Sequence, residues 1–485
     1  MTADVSDPTT HRSAPHEDQR SWVRGAGWLT LAVVVLSASN YAFSLLMARV
    51  LPGSEFVVFV GAQSVLLVIG TGVMAAIPWV VSREVARYRS DPGAADVLAP
   101  GQSLWFALAA SAVQGLLVAG VAAIVCLRFG STTVVLTAAF AAFALSLVAA
   151  PVGFLQGSHR FATISLLRLG EGVARIGLGL LVVVAVSASA WGALLGMPVG
   201  SLLLVAAGLV LCRSAAPLRR PPLATLTRLL AGAAVLGAGQ LLLTAIASID
   251  TVIAAGAGFS TADGFAYQTA ALLGRAPLFV ALALSQALYP VLVRARSEAD
   301  HRRELGRATG LYLQVGALVV LGATTVPVGL LGVIAGDDAA DVADLVRITA
   351  VSGVLVGLVS IVCVARQARG LRTSTLVTLG VAAVGQAVVL HLVSTRGGPH
   401  AFAVAGLATL LALTAVLLLL SRDQWPYVGQ PRRFLLTLAA LAAAALPLQL
   451  ITWPPAWVGA LAAVAALVAL SARRPHPSEG TPHEH

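Results

Sequence analysis

Three charged residues inside one apolar stretch pose the first chemical question. Between Ser165 and Val186 the chain reads SLLRLGEGVARIGLGLLVVVAV, apolar enough to span a bilayer yet carrying Arg168, Glu171 and Arg175. On a helix these positions are i, i+3 and i+7 and lie along one face. A charge at the bilayer centre costs about 2.5–3.5 kcal/mol on insertion scales, so such residues turn toward a bundle interior or a wet cavity. Guanidinium forks suit the oxygens of phosphate and carboxylate bidentately. The stripe therefore predicts a polar cavity that takes an anion. The bland alternative is one arginine snorkelling to the headgroups from the helix end, plus one structural ion pair.

Four more polar residues sit inside apolar stretches. Asp250, in ASIDTVIA, can carry a proton or cation, because protonation exchanges a costly charge for a neutral group. Its alternative is a hydrated acid at a helix end. Arg275 lies about 11 residues into its span, near mid-depth at about 1.5 Å per residue. It can pair with Asp250, since their helices are consecutive and antiparallel. Asn40 and Gln240 are candidates to line the cavity, although hydrogen bonding between helices is the plainer role for Gln240. Three arginines (168, 175 and 275) against Glu171 and Asp250 leave a cationic interior. That favours an anionic headgroup, such as the pyrophosphate of a lipid-linked sugar, over a cationic drug.

The elements that must position these residues are membrane helices. The 485 residues are 58% apolar and only 11% charged, against about 25% charge in a soluble domain. Mean hydropathy is +0.89. The expected fold class is an all-α polytopic membrane protein of about 14 transmembrane helices. Its spans include 165–187 (helix 5), 228–256 (helix 7) and 264–293 (helix 8), each long enough for the hydrocarbon core. All 31 basic residues are arginine, and their placement tests the count. Alternate loops and the tails hold 24 of them, the opposite side 4, and 3 lie within spans. By the positive-inside rule both termini are expected in the cytoplasm. The net charge of +10 thus reads as a topology signal, with no nucleic acid as partner.

The chain also repeats itself. NYAFSLLMARVLPGSEFVVFVGAQSVLLV, leading to IPWVVSREVARYRSD, resembles DTVIAAGAGFSTADGFAYQTAALLG, leading to LYPVLVRARSEAD. Six helices, an even number, separate the copies, so the halves are parallel repeats about an axis along the membrane normal. The match sets Asn40 opposite Asp250. The expected organisation is a disordered cytoplasmic tail (1–21), a six-helix bundle (22–213), a cytoplasmic linker (214–227), a second six-helix bundle (228–421), two additional helices (422–472) and a tail (473–485). Gly192, Gly196 and Gly200 form a flat strip for close helix packing.

Several activities find no support. Without lysine there is no Walker-type phosphate loop. Cys126, Cys212 and Cys363 are too few and too far apart for a disulfide framework or a metal centre. His391 and His400 lack metal-ligand spacing. No carboxylate cluster sits on a large loop, as a membrane glycosyltransferase would need. The chain is expected not to be an enzyme and to need no cofactor or metal.

The stretches GWLTLAVVVLSASNYAFSLLMARVLPGSEFVVF, FLQGSHRFATISLLRLGEGVARI and SIDTVIAAGAGFSTADGFAYQTAALLGRAPLFVALALSQALYPVLVR carry a family resemblance. Over roughly residues 22–420 the chain resembles the polysaccharide-export branch of the multidrug/oligosaccharidyl-lipid/polysaccharide flippase superfamily. The resemblance implies two six-helix bundles in a V, alternating access, and outward flipping of a lipid-linked oligosaccharide or polysaccharide precursor across the inner (plasma) membrane. Membrane lipids would be partners, with a glycan polymerase or glycosyltransferases as further ones. It implies basic cavity residues, matched by Arg168, Arg175 and Arg275. On this reading Glu171 completes the substrate site and Asp250 couples an ion. A cation-coupled drug antiporter of the same fold and a non-transporting scaffold for cell-envelope assembly are the alternatives.

Overall fold

The computed structural model describes residues 35–92, 97–213, 217–295, 297–370, 373–422 and 431–473. The tails expected at 1–21 and beyond Arg473 lie outside the described residues, as does the start of the linker at 214–216. Among the described residues regular structure is entirely helical. In chain order the helices are α1 (35–50), α2 (Gly53–Ser90), α3 (Pro100–Cys126), α4 (Thr132–Leu147, continued by Ala149–Gly157), α5 (Phe161–Ala185), α6 (Ala190–Leu211) and α7 (Leu223–Ala255). The second half holds α8 (Thr261–Gly274, continued by Ala276–Arg294), α9 (Glu298–Thr325, continued by Val328–Ala335), α10 (Ala339–Ala368), α11 (Thr373–Ser394) and α12 (Pro399–Leu420). Two more, α13 (Pro431–Gln449) and α14 (Pro454–Arg473), complete the fourteen. Among the described residues ten spans are long and apolar enough by themselves to cross a membrane. Helix α5, at 25 residues, also has the length but carries the three charges.

Leu116, Leu117 and Ile124 on α3, and Leu166, Val173 and Val184 on α5, are all more than 60% exposed. So much bare aliphatic surface on one molecule marks a lipid-facing wall. On α5 the opposite face buries Glu171, Gly172 and Gly179. The helix is therefore two-sided, with hydrocarbon on one side and protein on the other.

The two halves share a packing pattern. In the first, α2 packs on α3 and α4, α3 on α4, α4 on α6, α5 on α6, and α1 on α5. Each pair recurs six helices later: α8 on α9 and α10, α9 on α10, α10 on α12, α11 on α12, and α7 on α11. The parallel repeat is thus a property of the fold. The copies differ in detail where proline falls. Pro277 has no N–H for the Leu273 carbonyl, and α8 breaks at Arg275, two residues before it. Its counterpart α2 runs unbroken through Pro78.

Small residues allow the tight crossings. A Cβ on Gly196 would collide with the Arg175 carbonyl, and one on Gly200 would lie 2.8 Å from the Glu171 carbonyl. The glycine strip of α6 therefore lies against the backbone of the charged stretch of α5. Gly196→Val is expected to destabilise the protein by about 1–3 kcal/mol, the usual penalty of overpacking where the neighbour is backbone. Thermal unfolding of the detergent-solubilised chain reads this; an unchanged midpoint would mean that α5 and α6 do not touch there.

The bundles meet mainly through α2 and α7, which cross antiparallel. Gly61 faces Ala255, Ser64 faces Thr251, and Gly72 faces Leu241. At the arginine-poor end the Phe56 and Phe265 rings pack tilted, with centroids 5.2 Å apart, and one apolar core runs through both bundles. The same core takes in Leu229 and Ala233 near the arginine-rich end of α7, and the second bundle has further apolar clusters of its own, around Leu243 and Val359 and around Ala281 and Tyr312. Helices α13 and α14 rest on α9, where the Trp457 indole N–H donates to Thr325 Oγ1 at 3.1 Å.

Candidate functional site

The α5 stripe is folded into the first bundle. Arg168 donates to Glu171 Oε2 at 2.9 Å, and its second amino group rests 3.1 Å from the Met74 sulfur on α2. Ser201 of α6 donates to Glu171 Oε1 at 3.1 Å. Glu171 is only 4% exposed, and the Arg168 side chain 19%. Arg168 therefore turns inward to its partner and does not snorkel. Arg175 is half-buried one turn further along, and its Nε has no hydrogen-bond partner among the described residues. The cluster keeps two guanidinium groups near one carboxylate, with donor capacity to spare.

The second polar cluster lies in the other bundle. Arg275 donates to Asp250 Oδ1 at 2.7 Å and to Thr251 Oγ1 at 3.0 Å. Tyr267 donates to Asp250 Oδ2 at 3.0 Å. The break in α8 is what turns Arg275 toward α7. It is held there by Gly274, whose Cβ, if present, would lie 2.5 Å from the Thr349 backbone of α10. Asp250, Tyr267 and Arg275 line a crevice with Ser352 and Gln386, and its free space is about 30 Å³. That is room for one or two waters or an ion, not for a sugar headgroup.

The structure thus joins Asp250 to Arg275 and Arg168 to Glu171. Among the described residues no hydrogen bond or ion pair links the two clusters directly. The sequence suggested a single cavity; the structure has two polar centres, one in each bundle. The physical reason is that each charge finds its counter-ion within its own bundle. Helix α2 connects them: it presents Met74 to Arg168 and Ser64 to Thr251, whose hydroxyl donates to Ser64 Oγ at 2.8 Å. Thr251 is therefore bonded to Arg275 on one side and to the opposite bundle on the other. Thr251→Val is expected to cost about 1 kcal/mol, within the range of hydrogen bonds between membrane helices. In the Ser64→Ala background the same change should cost clearly less. Equal costs in both backgrounds would deny the contact between bundles.

Asn40 and Gln240 are half-buried. Their backbone carbonyls accept from Ser44 and Thr244, both at 3.0 Å. Neither side chain enters a cluster among the described residues.

Sequence reasoning missed four participants. Ser201 and Tyr267 carry no signal beyond their residue type. Arg366, counted among the loop arginines, is buried: its Nε donates to Thr375 Oγ1 at 2.8 Å and its Nη1 to the Leu420 carbonyl at 2.9 Å, tying α10 to the ends of α11 and α12. Glu84, on the basic end of α2, is buried as well.

Comparison with known proteins fits this architecture. The fold matches that of lipid II flippase MurJ in an inward closed conformation, with a TM-score of 0.68 and 12% identity, over 92% of this chain and 97% of that one. An inward-facing multidrug resistance MATE family transporter of the MOP superfamily matches with a TM-score of 0.61 and 14% identity, over 86% of this chain and 98% of that one. The eukaryotic MATE transporter AtDTX14 matches with a TM-score of 0.58 and 13% identity, over 86% of this chain and all of that one. No curated protein sequence matches. At such identities the likeness is one of fold. Residues 22–296, more than half of the chain, match the family described as polysaccharide biosynthesis protein. This multi-pass membrane protein, built on the fold shared by MurJ and the MATE transporters, therefore belongs to the polysaccharide biosynthesis protein family.

Proposed function

We propose that the chain flips a lipid-linked oligosaccharide or polysaccharide precursor across the inner (plasma) membrane by alternating access, with both termini in the cytoplasm. The observation that carries this reading is the pair of buried charge clusters, one in each bundle, on either side of the α2–α7 contact. A buried charge is retained in a membrane protein where it has work to do. Arg168 and Arg175, with Glu171 orienting them, bind the anionic headgroup from the first bundle. Arg275 adds its charge once its bond to Asp250 opens. Asp250 couples an ion: a proton or small cation fits the crevice and would release Arg275. Asn40 and Gln240 line the path between bundles at 22–213 and 228–421, and the helices of 422–472 flank it.

With the arginine-rich end toward the cytoplasm, the proposed direction is from that side outward. Cells lacking the chain are expected to accumulate a lipid-linked sugar on the cytoplasmic leaflet. If the triple substitution Arg168→Ala, Arg175→Ala, Arg275→Ala left glycan export intact in a folded protein, the scaffold reading would replace this one.

A further inference from the structure

We propose that the groove at the arginine-rich end of α2 is a second anion site, which takes the phosphate of an amphiphile that also carries hydroxyl groups. The groove encloses about 640 Å³, inside the range of roughly 300–1,000 Å³ typical of small-ligand sites. Its walls are the last turns of α2, the turn from α4 into α5, and the first turns of α7. Three arginines, Arg83, Arg87 and Arg228, line it against one carboxylate, Glu84, and His159 stands at the rim.

The state of these groups points to a ligand. Arg83 has no hydrogen-bond or ion-pair partner among the described residues. Among the described residues Arg87 reaches only Glu84 Oε1, at a long 3.4 Å, which leaves most of its five N–H donors for something else. Glu84 is 4% exposed, and its Oε2 has no hydrogen-bond partner among the described residues. A bare buried carboxylate oxygen is costly, so the groove asks for a donor as well as an anion. A phosphate ester bearing sugar or glycerol hydroxyls supplies both. Trp79 gives the groove an exposed indole edge, the kind of side chain that sits at the level of lipid headgroups.

This site is separate from the α5 stripe. Arg168 touches Met74, and Arg83 lies nine residues further along α2, about 14 Å by helix rise. The assignment goes beyond the flippase reading and does not rest on it, because a scaffold could bind an anionic lipid in the same groove.

Two lipids carry the required chemistry: a phospholipid headgroup with free hydroxyls and a prenyl-linked sugar pyrophosphate. Binding of dihexanoyl phosphatidylglycerol and of farnesyl-pyrophosphoryl N-acetylglucosamine to the detergent-solubilised full chain separates them, the tighter ligand naming the source. For that ligand the double substitution Arg83→Ala, Arg228→Ala should weaken binding at least tenfold. Both residues are exposed, so folding should survive, as the unfolding midpoint will verify. Glu84→Met should weaken binding of phosphatidylglycerol more than that of the hydroxyl-free dihexanoyl phosphatidic acid. Arg307→Ala, an exposed arginine outside the groove, should leave phosphatidylglycerol binding within twofold. Binding of both probes within twofold of the unaltered chain in the double variant would overturn the proposal. Vesicle flipping assays report independently: binding without flipping would keep this site and remove the proposed function.

Discussion

Glu171→Leu is expected to cost about 3–5 kcal/mol and to reduce flipping at least tenfold. The carboxylate is buried, accepts from Arg168 on Oε2 and from the Ser201 hydroxyl on Oε1. Removing it leaves Arg168 and Arg175 as neighbouring, desolvated charges of one sign. Breaking a buried pair by deleting one partner carries a penalty of that size. Glu171→Gln keeps an acceptor for Ser201 and the side-chain volume, so it should lose less stability while still disturbing the guanidinium groups. The double variant Glu171→Leu, Arg168→Leu should recover part of the loss, because no orphaned charge remains at position 168. Thermal unfolding gives the stabilities, and double-mutant arithmetic gives the coupling. Additive single costs would deny the pair, and full stability together with unimpaired flipping in Glu171→Leu would take the stripe out of the site.

Asp250→Ala should destabilise the second bundle by about 3 kcal/mol and abolish ion-dependent transport. Asp250 accepts from Arg275 and Tyr267. Its loss leaves a guanidinium group in a crevice with room for one or two waters. The Asp250 and Arg275 side chains are 20% and 16% exposed, so some solvent screening places the cost at the lower end of the range for broken buried pairs. Asp250→Asn retains acceptor and shape and removes only the charge. It should therefore fold nearly as well, yet transport slowly and without pH dependence. A transport rate and pH profile equal to those of the unaltered chain would remove Asp250 from the coupling mechanism.

The pairing of the two predictions reflects the fold. The repeat places equivalent helices in equivalent surroundings, but the charges fall on different members: α5 in the first bundle, α7 and α8 in the second. Where α5 carries its stripe, its counterpart α11 contributes the buried, neutral Gln386 to the Asp250 crevice. The proposed arrangement is thus asymmetric, with the anion held mainly by one bundle and the ion sensed by the other. Ser64 and Thr251 lie where the two meet.

Much of the architecture was legible in the residues. Apolar length set the fourteen spans. The even spacing of the two similar segments set the parallel repeat. These are properties of local composition, and a bilayer enforces them span by span because no backbone polar group can go unpaired in hydrocarbon. The i, i+3, i+7 spacing likewise gave the common face of Arg168, Glu171 and Arg175, since helix periodicity is local. The glycine strip of α6 was readable as a packing surface.

Which partners those charges meet was decided by tertiary structure alone. Periodicity cannot say that Ser201 rather than another α6 residue reaches Glu171, or that Tyr267 completes Asp250. Nor can it say that Arg366, next to a loop, is drawn inside to cap helix ends. These contacts depend on where helices cross, and the crossings are set by glycines meeting backbone: Gly196 on Arg175, Gly274 on Thr349, Gly153 on Pro78. The division into two polar centres has the same origin. The sequence identified the charged residues; the crossings decided that each charge is answered within its own bundle, with α2 as the link between them.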